Sequence, residues 1–333
     1  MASHTHMYFK TDTTQTTTHV EIQHKSLVAI VDGINLTKEL ITKPANIVTP
    51  DYLTEFCTKT FTHGIRVNVL GKKDLEKEGM CFLAVSQSSF EPRLITLEYA
   101  PKTEKEAPLV LVKLCYDNGM YMKPYPHAND MHGDMAATVL GVMSALHKLI
   151  KKRVVAIVTE NMVDALAYRN GDVLTARNGK TVFVEHSDAE RLVLADVLSY
   201  VSDTYTPRMI IDFATLTACV RALGEMYTGI IYNQKVIDTI KKIDNETNEK
   251  VRQLPLDKDC TQALTKTVAD LSNVGSLDGM MASTAAAFLS NFVGDTNKRI
   301  HCDIAGTSRD KMRRSYDSIK VTAMVHTILE YIM

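Results

Sequence analysis

Apolar residues recur at helical spacing in LVAIVDGINLTKELIT (27–42) and in MAATVLGVMSALHKLI (135–150), and both runs predict amphipathic helices. Between and beyond them the pattern changes to short apolar runs rich in Val, Ile and Leu. IRVNVL (65–70), 81–86, 94–99, LVLVKLCY (109–116), VVAIV (154–158), TVFVE (181–185) and RMIIDF (208–213) read as strands. Further helices are expected near 51–61, 72–79 and 189–202, and one beginning near Thr215. Breaks fall at KPANIVTP (43–50), where two prolines frame a turn, and at the charged loop PKTEKEAP (101–108). Lys151, Lys152 and Arg153 follow a helix and suit the negative end of its dipole. Strands alternating with helices predict an α/β fold with a mostly parallel central sheet and helices on both faces. Residues 1–25, polar and Thr-rich, are expected to form a flexible arm, and 26–333 a single domain without repeats or a linker.

Composition narrows the function. The 333 residues carry 38 Lys+Arg against 39 Asp+Glu, a net charge of -1, so no long-range field draws the chain to nucleic acid or an anionic membrane. No apolar run approaches the ~20 residues that span a bilayer. The opening lacks the apolar core of a secretory signal and the Arg of a transit peptide. Six scattered cysteines form no CxxC pair and sit mostly in apolar segments, which suits buried, reduced thiols and a cytoplasmic setting.

Sites in parallel sheets form beyond the carboxyl ends of the strands. Asp117 follows the strand at 109–116, with Lys123 shortly after, and Asp134 precedes the long helix. His186-Ser187-Asp188-Ala189-Glu190-Arg191 follows the strand at 181–185. In extended backbone Asp188 and Glu190 point to one face. Together with Asp117 and Asp134 they form a set of oxygen donors suited to divalent cations, and four carboxylates can hold a pair of ions. Helix capping explains Asp134 and Asp188 equally well. His186, lacking a partner histidine, reads as a hydrogen-bonded structural residue rather than a ligand. Met120, Met122, Met131, Met135, Met280 and Met281 suit an apolar pocket or a core. There is no GxGxxG, P-loop, GxSxG or HExxH.

These segments resemble a known family. NGKTVFVEHSDAERLVLADVLSYV (178–201) is similar to the signature of the M17 leucyl aminopeptidases. INLTKELITKPANIVTP (34–50), PLVLVKLCYDNGMYMKP (108–124), MHGDMAATV (131–139), YRNGDVLTARNGK (168–180), IDFATLTACVRALG (211–224), VADLSNVG (268–275) and HCDIAGT (301–307) resemble further family segments. The similarity runs from about residue 27 to the end, and the combination is specific. It implies a two-metal aminopeptidase acting on short peptides with apolar, Leu-like amino termini. The resemblance makes Asp117, Asp134, Asp188, Glu190 and Lys113 ligands of two divalent ions, Zn or Mn with Mg as a further candidate. It gives Lys123 the role of polarising the scissile carbonyl, and Arg191 that of holding a bicarbonate proton shuttle. Met131 and Thr217 match pocket residues, and Leu216 a backbone contact to substrate. Peptides are the implied partners, with a homo-oligomer as in the family's hexamers, and neither nucleic acid nor membrane.

The chain departs from the pattern where the family has glycines. Lys113 to Asp117, Asp117 to Lys123 and Glu190 to Arg191 are each one residue shorter, and Ala218 replaces a glycine. Asp188 to Glu190 and Lys123 to Asp134 keep their spacing. No segment of these residues beyond the arm is expected to match the family's amino-terminal domain. Two expectations result: a working metallo-aminopeptidase, or a catalytically impaired relative that keeps the fold as a structural or binding subunit.

Overall fold

The computed structural model describes residues 17–43, 47–80, 92–101, 106–116, 134–149, 154–161, 169–185, 189–214, 216–217, 223–224, 227–231, 240, 250–275, 280–294, 299–305 and 307. The chain opens with helices α1 (Thr17–Thr42) and α2 (Pro50–Thr60). Thr49 caps α2, its hydroxyl accepting the Tyr52 N–H at 3.2 Å, and Pro50 occupies the first turn, where a missing N–H does no harm. Strand β1 (Ile65–Leu70), helix α3 (Lys72–Lys77), and strands β2 (Arg93–Tyr99) and β3 (Leu109–Tyr116) follow. Next come α4 (Asp134–Leu149), β4 (Val154–Asn161), the short β5 (Val173–Thr175) and β6 (Thr181–Phe183), α5 (Ala189–Tyr205) and β7 (Met209–Ala214). The last described elements are β8 (Thr228–Ile231), β9 (Val251–Gln253), α6 (Lys258–Gln262), β10 (Leu271–Ser272), α7 (Met281–Ser290) and β11 (Arg299–Asp303).

Eight strands form one sheet in the order β1-β2-β4-β3-β7-β11-β8-β9. Its centre, β4-β3-β7-β11, is wholly parallel. Antiparallel pairings join β2 to β4, β1 to β2 and β8 to β11. The α/β architecture read from the sequence is therefore the one observed. A small second sheet, β10-β6-β5, lies beside it. Its hairpin turns at Asn178-Gly179, where Gly179 takes φ +83°, a conformation that disfavours a side chain.

Alternation along the strands builds two cores. Leu109, Leu111, Ile211, Phe213, Ile300 and Cys302 face α1, α2 and α4. Val110, Val112, Ile210 and Ala214 face α5, α6 and α7. Strands buried on both faces become continuous apolar runs, which is why they were legible as strands. Helix α5 is enclosed throughout 191–201, and its buried positions run all round it.

Some boundaries differ from the sequence reading. Helix α1 begins at Thr17, so part of the segment assigned to an arm is helical. Strand β6 stops at Phe183, although Val184 still bonds the chain entering β5, giving its N–H to the Asp172 carbonyl and accepting the Gly171 N–H, each at 2.8 Å. Leu216 and Thr217 are not helical, although a helix was expected to start near Thr215. The strand expected at 81–86 lies outside the described residues.

Candidate active site

The topology gathers the candidate residues at one edge. Strand β4 lies parallel to β3, so the connecting helix α4 must return the chain to the amino edge of the sheet. Its first residue, Asp134, therefore starts at the carboxyl edge. Helix α5 likewise ends just before β7, which is parallel to β3, so Ala189 and Glu190 also begin at that edge. Lys113 sits on β3 opposite Phe213 of β7 and Val158 of β4. Leu216 and Thr217 follow the end of β7, and Asp303 ends β11 beside Ala214. The backbone positions of Asp134, Glu190, Leu216 and Thr217 thus lie at the edge where sites form in such sheets. Asp117, Lys123, Met131 and Asp188 lie outside the described residues. Among the described residues there is no group of three or more His, Cys, Asp or Glu side chains that could hold a metal ion.

The turn after β7 is held from β11. Thr217 Oγ1 donates to Asp303 Oδ2 at 2.6 Å, and Asp303 Oδ1 accepts the Ala305 N–H at 3.1 Å. The Ile304 N–H donates to the Ala214 carbonyl at 2.9 Å, extending the pairing past the strand ends. The side chain of Leu216 is buried in the α5 and α7 core.

One step back along β11, a charged cluster is sealed beneath α7. Arg299 Nε and Nη2 donate to the two oxygens of Asp212 at 2.6 and 3.0 Å, and Arg299 Nη1 reaches the Ala286 carbonyl at 3.2 Å. His301 Nδ1 lies 2.6 Å from Asp212 Oδ1, so that nitrogen carries the proton. Burial would raise the carboxyl's pKa, but Arg299 and His301 outweigh it and hold Asp212 at about 2.

The entry to α5 has its own clasp. The Asn273 side-chain oxygen accepts the Glu185 N–H at 2.9 Å, and its backbone carbonyl accepts from the Arg191 guanidinium. Asn273 therefore grips the chain on both sides of the segment that carries Asp188. The Glu185 carboxylate takes a hydroxyl from Ser272 and the Lys266 ammonium at 3.0 Å. The Ser272 hydrogen bond first, and Lys266 with it, lower its pKa. Arg191 is only 2% exposed. Its guanidinium is engaged inside the protein.

Asp212, Arg299, His301, Asp303 and Asn273 were not singled out from the sequence. A signal existed for three of them, since Arg299, His301 and Asp303 alternate with apolar residues on a strand buried on both faces. Charges in that position require buried partners.

A family model described as the cytosol aminopeptidase family, catalytic domain, matches residues 35–329. The chain belongs to the cytosol aminopeptidase family. A probable cytosol aminopeptidase of Phytoplasma australiense is 40% identical over 303 residues, covering 87% of this chain and 62% of the relative. Another, from Geobacter sp. (strain M21), is 37% identical over 318 residues, covering 91% and 64%. Among solved structures, a lysine-to-glutamate mutant of tomato leucine aminopeptidase superposes with a TM-score of 0.80 at 30% identity, covering 93% of this chain and 63% of that one. The chain thus spans less than two thirds of the length of these cytosol aminopeptidase relatives. No helix among the described residues is long and apolar enough to cross a membrane.

Proposed function

We propose that this chain is a metal-dependent aminopeptidase that removes amino-terminal, apolar, Leu-like residues from peptides. The observation that supports it most is the match of residues 35–329 to the catalytic domain of the cytosol aminopeptidase family, with Asp134, Glu190 and the Leu216-Thr217 segment placed at the carboxyl edge of its sheet. Members of that family are metal-dependent. Four carboxylates supply the oxygen donors that hard divalent ions take, and a lysine amine adds a nitrogen donor that Zn²⁺ accepts, so the residue types fit the group. Asp117, Asp134, Asp188 and Glu190, with Lys113, would hold two ions, Zn²⁺ or Mn²⁺ with Mg²⁺ as a further candidate. When bound, such a pair supplies Lewis-acid polarisation and a nucleophile at neutral pH.

The chain's own residues do the rest. The Lys123 ammonium stabilises the negative charge that develops on the scissile carbonyl oxygen. The Leu216 backbone orients the peptide, and Met131 and Thr217 line the pocket for its first side chain. Arg191 would hold bicarbonate as a proton shuttle. Its bond to the Asn273 carbonyl favours a second reading, in which the shuttle is lost and the chain is an impaired relative serving as a structural or binding subunit. The reading also includes a homo-oligomer in the cytoplasm. Buried, unbridged Cys57, Cys260 and Cys302 support that compartment.

The test is hydrolysis of Leu-amide by protein loaded with Mn²⁺ or Zn²⁺, with bound metal measured on the same sample. Turnover that rises with metal, and is lost with metal content in Asp134→Ala and Glu190→Ala, supports the enzyme. A folded, metal-loaded protein that releases no ammonia from any aminoacyl amide establishes the second reading.

A further inference from the structure

We infer that Asp303 is a positioning residue for substrate, acting through Thr217 to fix the turn on which the peptide lies; this rests on the proposed role of the Leu216 backbone. The turn follows β7, and the described contact that crosses from it to another strand end is the 2.6 Å bond from Thr217 Oγ1 to Asp303 Oδ2. Asp303 is fully buried, and its other oxygen accepts the Ala305 N–H at 3.1 Å. One carboxylate therefore ties the chain leaving β7 to the chain leaving β11. A hydrogen bond buried away from competing water is costly to break, so this tie resists rotation of the turn.

The anchor itself is rigid. Asp303 and Ala214 are partners in the ladder, and the Ile304 N–H to Ala214 carbonyl bond continues that pairing. Beyond it, Thr307 closes the turn by donating its N–H to the Ile304 carbonyl at 3.0 Å, and its hydroxyl meets that of Thr228 at 2.9 Å. Leu216 has its side chain packed into the core, which leaves its main chain as the group available to a ligand. Fixing Thr217 on one side and the Leu216 side chain on the other sets the direction of the peptide group between them. Such a device alters how well substrate binds and leaves the reacting groups untouched.

The experiment compares Thr217→Val, which keeps the shape and removes the hydroxyl, with Thr217→Ser, which restores it, and with Asp303→Asn. Asn offers one acceptor where Asp303 serves two donors. Two measurements are made on the full chain: steady-state hydrolysis of Leu-amide, and hydrogen exchange of the segment 209–217 with 93–99 as internal control. Thr217→Val is expected to raise KM about tenfold with kcat within about twofold, and to speed exchange after Ala214 about tenfold. Thr217→Ser should return exchange to within about twofold of the parent and recover most of the lost affinity, the remainder reflecting the missing methyl of a pocket residue. The double variant should be no worse than Asp303→Asn alone, because both remove one tie. Unchanged exchange in Thr217→Val overturns the inference, as does faster exchange with unchanged KM or a loss confined to kcat. If the parent chain does not hydrolyse Leu-amide, the proposed function fails. The exchange measurement, with the affinity of Leu-amide measured directly in place of KM, then decides the positioning role by the same criteria.

Discussion

Replacing Gly141 with alanine should destabilise the protein, although alanine is the better helix former. Helices α1 and α4 cross where Gly33 faces Gly141. A Cβ on Gly141 would lie under 3.0 Å from both the Thr37 hydroxyl and the Gly33 carbonyl oxygen. The second is backbone, so it yields only if the helices part. Overpacking against backbone costs about 3 kcal/mol. Removing a helical glycine returns about 1 kcal/mol. The buried Thr37 hydroxyl now donates to the carbonyls of Gly33 at 2.9 Å and Ala137 at 3.1 Å, and losing one of these adds about 1 kcal/mol. The net loss is about 3 kcal/mol. In urea, with a slope near 3 kcal/mol/M for a chain of this size, the midpoint should fall by about 1 M. Gly294→Ala, where an added Cβ meets nothing within 4 Å, should leave the midpoint unmoved. Thr37→Ala combined with Gly141→Ala should recover only part of the loss, because the Gly33 carbonyl remains. The change also bears on the site. Gly141 lies seven residues, about 10 Å of helix, from Asp134 at the start of α4, and a shift of ~1 Å there can lower activity ~100-fold. A Gly141→Ala protein as stable as its parent would refute the account of this crossing.

Two further outcomes follow from buried groups. Asp212 is held at about 2 against an ordinary 3.8, so its contribution to stability is fully present above about pH 4 and is lost as pH falls toward 2. Guanidinium unfolding across that window should show about 2 kcal/mol less pH-dependent loss in Asp212→Asn than in the parent; equal slopes would contradict the burial of an ionised carboxylate. Burial pushes the Cys57 thiol up to about 12, so at pH 8 a thiol reagent should label Cys57 only as fast as the protein unfolds, checked by mass spectrometry of the peptide 50–60.

Local pattern carried much of this protein. The apolar runs at 109–116 and 208–213 read as buried strands by their length and Val/Ile/Leu content, and their alternation with helical segments pointed to the mostly parallel sheet that is observed. Asp134 begins a helix as the sequence suggested, whereas Glu190, read as extended backbone beside Asp188, lies in α5, and Leu216 and Thr217 were named only through the family resemblance. The start of α1 at Thr17 was not legible, since a Thr-rich segment carries no apolar periodicity.

Only the tertiary structure decided which polar groups meet. Asp303 finds Thr217 across 86 residues, Arg299 finds Asp212 across 87, and Asn273 finds Arg191 across 82. Each side chain looks ordinary in its own neighbourhood, and the sequence states no distance between strands joined in a crossover order. Burial then makes those meetings matter. In a dry interior a charge without a partner is too costly to keep, so the fold pairs Asp212 with Arg299 and turns Arg191 toward a backbone carbonyl. The sequence thus settled the kind of sheet, because burial on both faces writes itself as continuous apolar runs, while long-range packing settled which buried polar groups pair with one another.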